Sequence, residues 1–293
     1  MYVLIDGKKI AGDIKNEIRN EVNVRASKGL KIPHLVAILA GNNPSAETYV
    51  ANKIKDCEEV GFRSSLVRLD ENTSEDKLLD VINSLNVNPD IDGFIVQLPL
   101  PDHIEEKKII EAIDPSKDVD GFHPLNIGKM ILGLPCFLPA TPYGILELLK
   151  RYNIETTGKH CVVIGRSNIV GRPVSILLSS KGIDATVTVV HSRTRNIAGI
   201  SRQADILIAA IGSPGFVTAD MVKTGAVVID VGTTRVKTAE TKSGWKLKGD
   251  VDFENVAPKC SYITPVPGGV GPMTRVFLLQ NALLAARLRD SNR

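Results

Sequence analysis

Cys161-Val-Val-Ile-Gly165-Arg166-Ser167-Asn168-Ile169-Val170-Gly171-Arg172-Pro173 is the stretch on which the fold turns. An apolar run, a glycine, a polar run and a second glycine read as a strand, a turn and the start of a helix. The Gly-x5-Gly spacing departs from the Gly-x-Gly-x-x-Gly dinucleotide fingerprint, so context carries the reading. Gly165 lets the backbone turn sharply, Gly171 lets the helix pack close, and the helix N-terminus offers N–H groups to a phosphate. Arg166 and Arg172 add charge that a structural turn does not need. The next strand, Thr186 to Val190, ends in His191-Ser192-Arg193-Thr194. An NAD site carries Asp or Glu there for the ribose 2′-hydroxyl; Ser192 and Arg193 suit a 2′-phosphate, hence NADP. A solvated basic loop is the other reading. Two further strands, Asp205 to Ile211 and Ala226 to Val231, are followed by Gly212 and Gly232, which line a cofactor's path or are ordinary turn glycines.

The same alternation runs outward in both directions. Ile10, Ile14, Ile18 and Val22 mark a helix that Gly29 ends. Leu35 to Ala40 reads as a buried strand, and Asn43-Pro44 opens a helix that ends near Gly61. Ser65 to Leu69 is a strand, Ser74 to Leu85 a helix and Gly93 to Leu98 a buried strand. Residues 114–142, rich in Pro and Gly, read as a long loop with one short helix and as the joint between domains. After it come a strand from His160, a helix from Gly171, an exposed hairpin over 237–248 around Ser243-Gly244, and a last helix over Val276 to Leu288. Strands alternating with helices imply an α/β fold with mostly parallel sheets. The expected domains are 1–142, with a helix over 275–293 packing back on it, and a Rossmann-like, doubly wound domain over 143–274.

The composition excludes several classes. With 36 Lys and Arg against 33 Asp and Glu, the net charge of +3 is too small for a bulk nucleic-acid binder. No apolar run approaches the ~18 residues of a membrane span, and Met1-Tyr2-Val3-Leu4-Ile5-Asp6 does not begin a secretory signal. The four cysteines (Cys57, Cys136, Cys161, Cys260) are far apart and form no metal-ligand spacing. They suit a reducing, cytoplasmic compartment, and no metal is expected.

One lysine stands on the wrong face of its helix. With Tyr49 at zero degrees on a 3.6-residue turn, Lys53 falls at about 40°, Cys57 at about 80°, Val50 at about 100° and Val60 at about 20°. Lys53 therefore sits inside the apolar arc, while Lys55, Glu58 and Glu59 lie opposite. Such a lysine either snorkels or works; burial lowers its pKa and lets it transfer protons. Gln97 interrupts an apolar strand end, and its amide either accepts from and donates to a neighbour or is a core amide bonded to backbone. Asp118 and Asp120 fall in the long loop as turn formers or as functional carboxylates.

Six spaced motifs together resemble one family closely: Tyr49-Val-Ala-Asn-Lys53, Val96-Gln-Leu-Pro-Leu-Pro101, Lys117 to Asn126, Val163 to Pro173, Asp230-Val-Gly232 and Thr264 to Thr274. In order, over nearly the whole chain, they are similar to the bifunctional methylenetetrahydrofolate dehydrogenase/methenyltetrahydrofolate cyclohydrolases of one-carbon metabolism. The resemblance implies an N-terminal α/β folate domain facing a Rossmann-like NADP domain across a cleft. It implies oxidation of 5,10-methylenetetrahydrofolate by NADP⁺ and hydrolysis to 10-formyltetrahydrofolate, usually in a cytoplasmic homodimer. Lys53 matches the catalytic lysine, Gln97 the residue that tunes it, Tyr49 the ring packing on folate and Asp120 the carboxylate holding the pterin. Leu98 and Pro267-Gly268-Gly269-Val270 match substrate-lining positions. Gly165, Arg166, Ser167, Ser192 and Thr233 match cofactor contacts. Ala140 stands where many relatives carry Cys, a position with no catalytic role. The rivals are a two-domain dehydrogenase of shikimate type, which explains the Rossmann half alone, and a non-catalytic NADP sensor, against which intact Lys53, Gln97 and Asp120 argue.

Overall fold

The computed structural model describes residues 1–239, 241 and 244–291. The chain divides into two compact units, each with its own parallel sheet. β1 (Val3–Leu4) and α1 (Gly7–Ser27) open the chain. There follow β2 (His34–Ala40), α2 (Pro44–Val60), β3 (Arg63–Leu69), α3 (Glu75–Val87), β4 (Gly93–Val96), α4 (Glu106–Ala112) and α5 (Pro124–Ile131).

One unit comprises Gly12–Ala140 and the described residues from Arg275 on. Its sheet has the order β3-β2-β4. β2, with all seven residues buried, is the central strand, as a continuous apolar run requires. Its register sets Val36 beside Phe94 and Ile38 beside Val96. These pack with Leu78, Ile82 and Ile109 into the core of the unit. The Ser74 side chain caps α3 by accepting from Lys77 N (3.3 Å). Gly29 and Gly61, at φ +66° and +81°, follow the ends of α1 and α2. The expected long loop holds α5, and α4 just before it was not expected.

The last helix, α10 (Val270–Ser291), fastens its later turns to this unit. The Asn281 side-chain amide donates to Val119 O (2.8 Å) and Leu138 O (2.9 Å), and Asp290 pairs with Arg25 at 2.6 Å. Arg287 pairs with Glu21 and Arg289 with Asp92.

The other unit comprises Met1–Ala11 and Thr141–Thr274. It continues from α6 (Ala140–Arg151) through β5 (His160–Ile164), α7 (Gly171–Leu178), β6 (Thr186–Val190), α8 (Ile197–Ser201), β7 (Ile206–Ala209) and β8 (Val227–Asp230). The antiparallel hairpin of β9 (Thr234–Lys237) and β10 (Trp245–Lys248), then α9 (Phe253–Val256) and β11 (Tyr262–Ile263), complete it. Ser243, half of the expected hairpin turn, lies outside the described residues, as do residues 292 and 293 of the expected last helix.

The six strands of its sheet run in the order β1-β11-β8-β7-β5-β6, all parallel. From β5 the chain steps outward to β6 and then returns to β7 on the opposite side. The gap between β5 and β7 is therefore the switch point at which open parallel sheets bind ligands, beyond the strands' C-terminal ends. The first residues were expected with 1–142. Val3 and Leu4 instead pair with Tyr262 and Ile263 and close the edge of this sheet.

Candidate active site

α2 carries the lysine on its buried face. Val50, Cys57 and Val60 are each at most 1% exposed, and Lys53 is 9% exposed. The Lys53 ammonium donates to Gln97 Oε1 at 3.1 Å, and the Gln97 amide donates to Leu98 O at 2.7 Å. Gln97 stands one residue past β4, with its backbone N–H donating to Ile38 O (2.9 Å), so the sheet fixes its position. Burial lowers the pKa of Lys53, while Asp120 and Cys57 oppose that shift. Burial likewise raises the Asp120 carboxyl above its usual range, with Lys53 pulling it down and Asp118 pushing it further up. Cys57, one helical turn beyond Lys53, is pushed up to about 12 by burial and then by Asp56 and Glu58, which keeps the thiol protonated. Tyr49, one turn before, is 38% exposed.

Of the two acids in the loop, Asp118 takes the turn-forming role. The buried Asp118 carboxylate accepts from Gly121 N (3.1 Å), Phe122 N (3.3 Å), His123 N (2.8 Å) and the Asn126 amide (2.9 Å). It is the turn former, and it ties the loop into α5. The loop also pairs along β4, with Phe94 N donating to Lys117 O (3.0 Å) and a bridge from Phe94 to Asp118. Gly121, at φ +76°, passes so close to Leu138 that a Cβ would meet its carbonyl carbon at 2.7 Å. Asp120 is thus held by both flanks, near enough to Lys53 for the two charges to act on each other.

Sequence reasoning missed Asp56. It is 2% exposed on α2 and pairs with Lys15 of α1 and with Arg275 of α10 (3.2 Å). Both partners are remote in sequence, so no local pattern announces them. The pair of bonds fixes the rotation of the helix that presents Lys53.

In the other unit, Gly165 (φ +124°) follows β5, and a Cβ there would lie 2.3 Å from Ala210 O at the end of β7. A Cβ on Gly171 would lie 2.3 Å from Gly165 O. Both glycines are therefore demanded by close approach at the switch point. The expected free N–H groups at the start of α7 are partly taken: Ser167 Oγ accepts from Val170 N (3.1 Å) and Gly171 N (3.3 Å). The positive charge there comes from exposed Arg166 and Arg172, the latter donating to Asn168 Oδ1 (2.9 Å). The turn after β6 is closed by His191 N donating to Thr194 Oγ1 (3.0 Å), which leaves the Ser192 and Arg193 side chains exposed. Among the described residues no carboxylate pairs with Arg166 or Arg193.

Gly212, at φ +68°, has nothing within 4 Å where a Cβ would stand, and Thr233 is exposed beside buried Gly232. Open space at Gly212, unpaired arginines and close backbone turns form a cradle that fits a dinucleotide phosphate. In the segment Pro267-Gly268-Gly269-Val270, Gly268 O accepts from Lys8 N (2.9 Å) and Gly269 backs directly onto Gly7.

Two family models match the chain: "Tetrahydrofolate dehydrogenase/cyclohydrolase, catalytic domain" over residues 5–120, and "Tetrahydrofolate dehydrogenase/cyclohydrolase, NAD(P)-binding domain" over residues 139–290. The chain belongs to this family. It is 62% identical over 288 residues to the bifunctional protein FolD of Porphyromonas gingivalis, covering 98% of this chain and 97% of that one. It is 59% identical over 290 residues to the FolD protein of Flavobacterium johnsoniae, covering 98% of each. The crystal structure of the Campylobacter jejuni bifunctional FolD superposes with a TM-score of 0.93 at 48% identity, covering 99% of this chain and 100% of that one. The Trypanosoma brucei enzyme, solved with NADP and an inhibitor, gives 0.93 at 40% identity and 98% of each. A shikimate dehydrogenase from Aquifex aeolicus gives only 0.51 at 14% identity, over 87% of this chain and 92% of that one, a likeness of fold alone. The family accounts for both units, where the shikimate-type reading accounted for one. Among the described residues no helix is long and apolar enough to cross a membrane.

Proposed function

We propose that this family member runs both reactions with Lys53 as the group that handles protons. It oxidises 5,10-methylenetetrahydrofolate to the 5,10-methenyl cation with NADP⁺ and hydrolyses that cation to 10-formyltetrahydrofolate. The observation that carries the role of Lys53 is its buried amine, bonded at 3.1 Å to the neutral Gln97 amide rather than to a carboxylate. An amine held this way loses its proton more readily than an exposed one. In hydrolysis, water adds to the methenyl carbon while Lys53 takes its proton. The ring C–N bond then breaks as that proton passes to the departing nitrogen, and the hydroxyl proton is released to water as the formyl C=O forms.

Gln97 orients the amine without adding charge. Asp120 holds the pterin, the half-exposed Tyr49 ring packs on the folate, and Leu98 and Pro267 to Val270 complete the substrate contacts. Hydride transfer depends mainly on position, so it leans on Lys53 less than hydrolysis does.

The nicotinamide, when bound, accepts the hydride. Gly165, Arg166, Ser167 and Arg172 hold the pyrophosphate, and Gly212, Gly232 and Thr233 line the rest of the cofactor's path. Ser192 and Arg193 take the 2′-phosphate, which makes NADP the preferred dinucleotide. Free thiols at Cys57, Cys136, Cys161 and Cys260 suit a cytoplasmic enzyme, and the family resemblance favours a homodimer.

An absorbance time course with 5,10-methylenetetrahydrofolate and NADP⁺, with NAD⁺ in parallel, followed by methenyltetrahydrofolate alone, tests the assignment. Reduction of NADP⁺ and decay of the methenyl chromophore are expected. Reduction without decay would leave a dehydrogenase only and remove the role given to Lys53.

A further inference from the structure

Two carboxylates lie buried at the C-terminal edge of the six-stranded sheet, and among the described residues no cation pairs with either. Asp230, 3% exposed, closes β8. One of its oxygens accepts from Gly232 N (3.0 Å) and Asp250 N (2.9 Å), and the other accepts from Val251 N (3.0 Å). Asp250 is fully buried and passes the linkage on. Its Oδ2 accepts from the consecutive amides of Ile211 (2.7 Å) and Gly212 (3.0 Å). Its Oδ1 has no donor.

The two acids are packed into the space that a side chain on the neighbouring glycines would need. A Cβ on Gly232 would lie 2.3 Å from Asp250 Oδ1, and one on Gly249 would overlap Asp230 Oδ2. Val217 N donates to Asp250 O (2.9 Å) and Gly215 N to Gly249 O (3.1 Å), which clamps the 249–251 segment across the ends of β7 and β8. Thr264 Oγ1 accepts from Asp230 N at 2.7 Å.

A carboxylate removed from water is costly unless donors converge on it. Here every donor is a backbone N–H, and charge-assisted bonds of that kind are about twice as strong as neutral ones. The arrangement spends two buried charges on the shape of two turns: the end of β8 sets the 249–251 segment, and that segment sets the turn after β7. A core needs no such device to pack, whereas a ligand cradle gains from turns that are rigid before the ligand arrives.

We infer that Asp230 and Asp250 are positioning residues for NADP, fixing through backbone amides the Ile211–Gly212 and Gly232 turns on which the cofactor lies. The inference rests on the proposed assignment of Gly212 and Gly232 to the cofactor. Burial, reinforced by Asp250, pushes the Asp230 carboxyl up to about 6, as expected of an acid without a cation.

The test is calorimetric NADP⁺ binding to the wild-type protein, Asp250→Ala and Asp250→Asn, beside methenyl hydrolysis measured without cofactor. Asp250→Ala is expected to weaken NADP⁺ binding by about tenfold or more, the loss typical of bonds to a charged acceptor. That loss should exceed any fall in hydrolysis by a wide margin. Asp250→Asn should restore much of the affinity, since its amide oxygen still accepts from both amides. Equal losses in binding and hydrolysis, or unchanged binding, overturn the inference.

Glycine-labelled spectra of the wild-type protein separate the two ways of failing. If NADP⁺ shifts neither Gly212 nor Gly232, the cofactor assignment falls and the inference with it. If it shifts both while the Ala variant binds normally, the positioning role alone falls. Should neither variant fold, amide exchange of Ile211 and Gly212 in the wild-type protein decides: slowed exchange supports the clamp, and exchange at the free rate overturns it.

Discussion

Around Lys53, a buried amine meets a neutral amide oxygen and, further off, a carboxyl. Around Asp230, a buried carboxyl meets only backbone N–H groups and a second acid. Both regions strip a charge of water, and the pKa of each group moves toward its neutral form. They differ in what surrounds the group. The Lys53 partners are side chains on separate elements, α2, the end of β4 and the loop before α5, so the amine can exchange its proton without dismantling the fold. The Asp230 partners are the fold itself. A titratable group held by side chains is equipped for chemistry, and one held by backbone is equipped to set shape.

Three experiments press on that contrast. The largest effect belongs to Lys53→Met. Loss of a positioned proton-transfer group costs about a hundredfold or more, so methenyl hydrolysis should fall by that factor while NADP⁺ reduction falls less. Full hydrolysis by the variant would erase the distinction drawn for this region.

Gln97→Glu is next. A carboxylate beside Nζ favours the ammonium form, so the limb on which hydrolysis rises with pH moves upward, and the rate at neutral pH falls by about tenfold. A profile that stays in place would mean Gln97 does not set the state of Lys53.

The smallest effect is read from Asp230 in the wild-type protein. Its folded value of about 6 lies above the ordinary 3.8. The native state therefore binds the proton more tightly than the unfolded chain. Its contribution to stability is complete below about pH 4 and is lost as pH rises through about 6. Carboxyl-labelled spectra should show a midpoint near 6. A midpoint near the ordinary value would make the region resemble a solvated turn.

What the sequence disclosed follows the reach of each interaction. Lys53 was legible because Val50, Cys57 and Val60, which mark the buried face it shares, lie within two helical turns, where periodicity is reliable. The switch-point strand and its glycines were legible because turn, strand and helix are contiguous there. Local pattern did not separate Asp118 from Asp120, and only the family resemblance singled out Asp120, since an acid in a loop looks the same whether it accepts four local donors or lies near a lysine from another element. Asp56 was illegible because Lys15 and Arg275 reach it only in the fold. β1 and β11 are two residues each, too short to carry any alternation, and the pairing of one discloses the other only in three dimensions.

That last pairing has a consequence during synthesis. β1 leaves the ribosome ahead of the other described strands, and β11, its neighbour in the sheet among the described residues, emerges about 260 residues later. At roughly 5–20 residues per second, the opening segment waits some 15–50 s for its partner. Two of the three unit boundaries also fall well inside continuous helices, between Ala11 and Gly12 in α1 and between Thr274 and Arg275 in α10. A nascent chain can therefore complete neither unit from its first half alone. A fragment ending at residue 140 would keep an unpaired β1 and lack the α10 partners of Arg25 and Asp56. Chaperones that shield exposed strand edges should meet this chain early and hold it until the last helix is made.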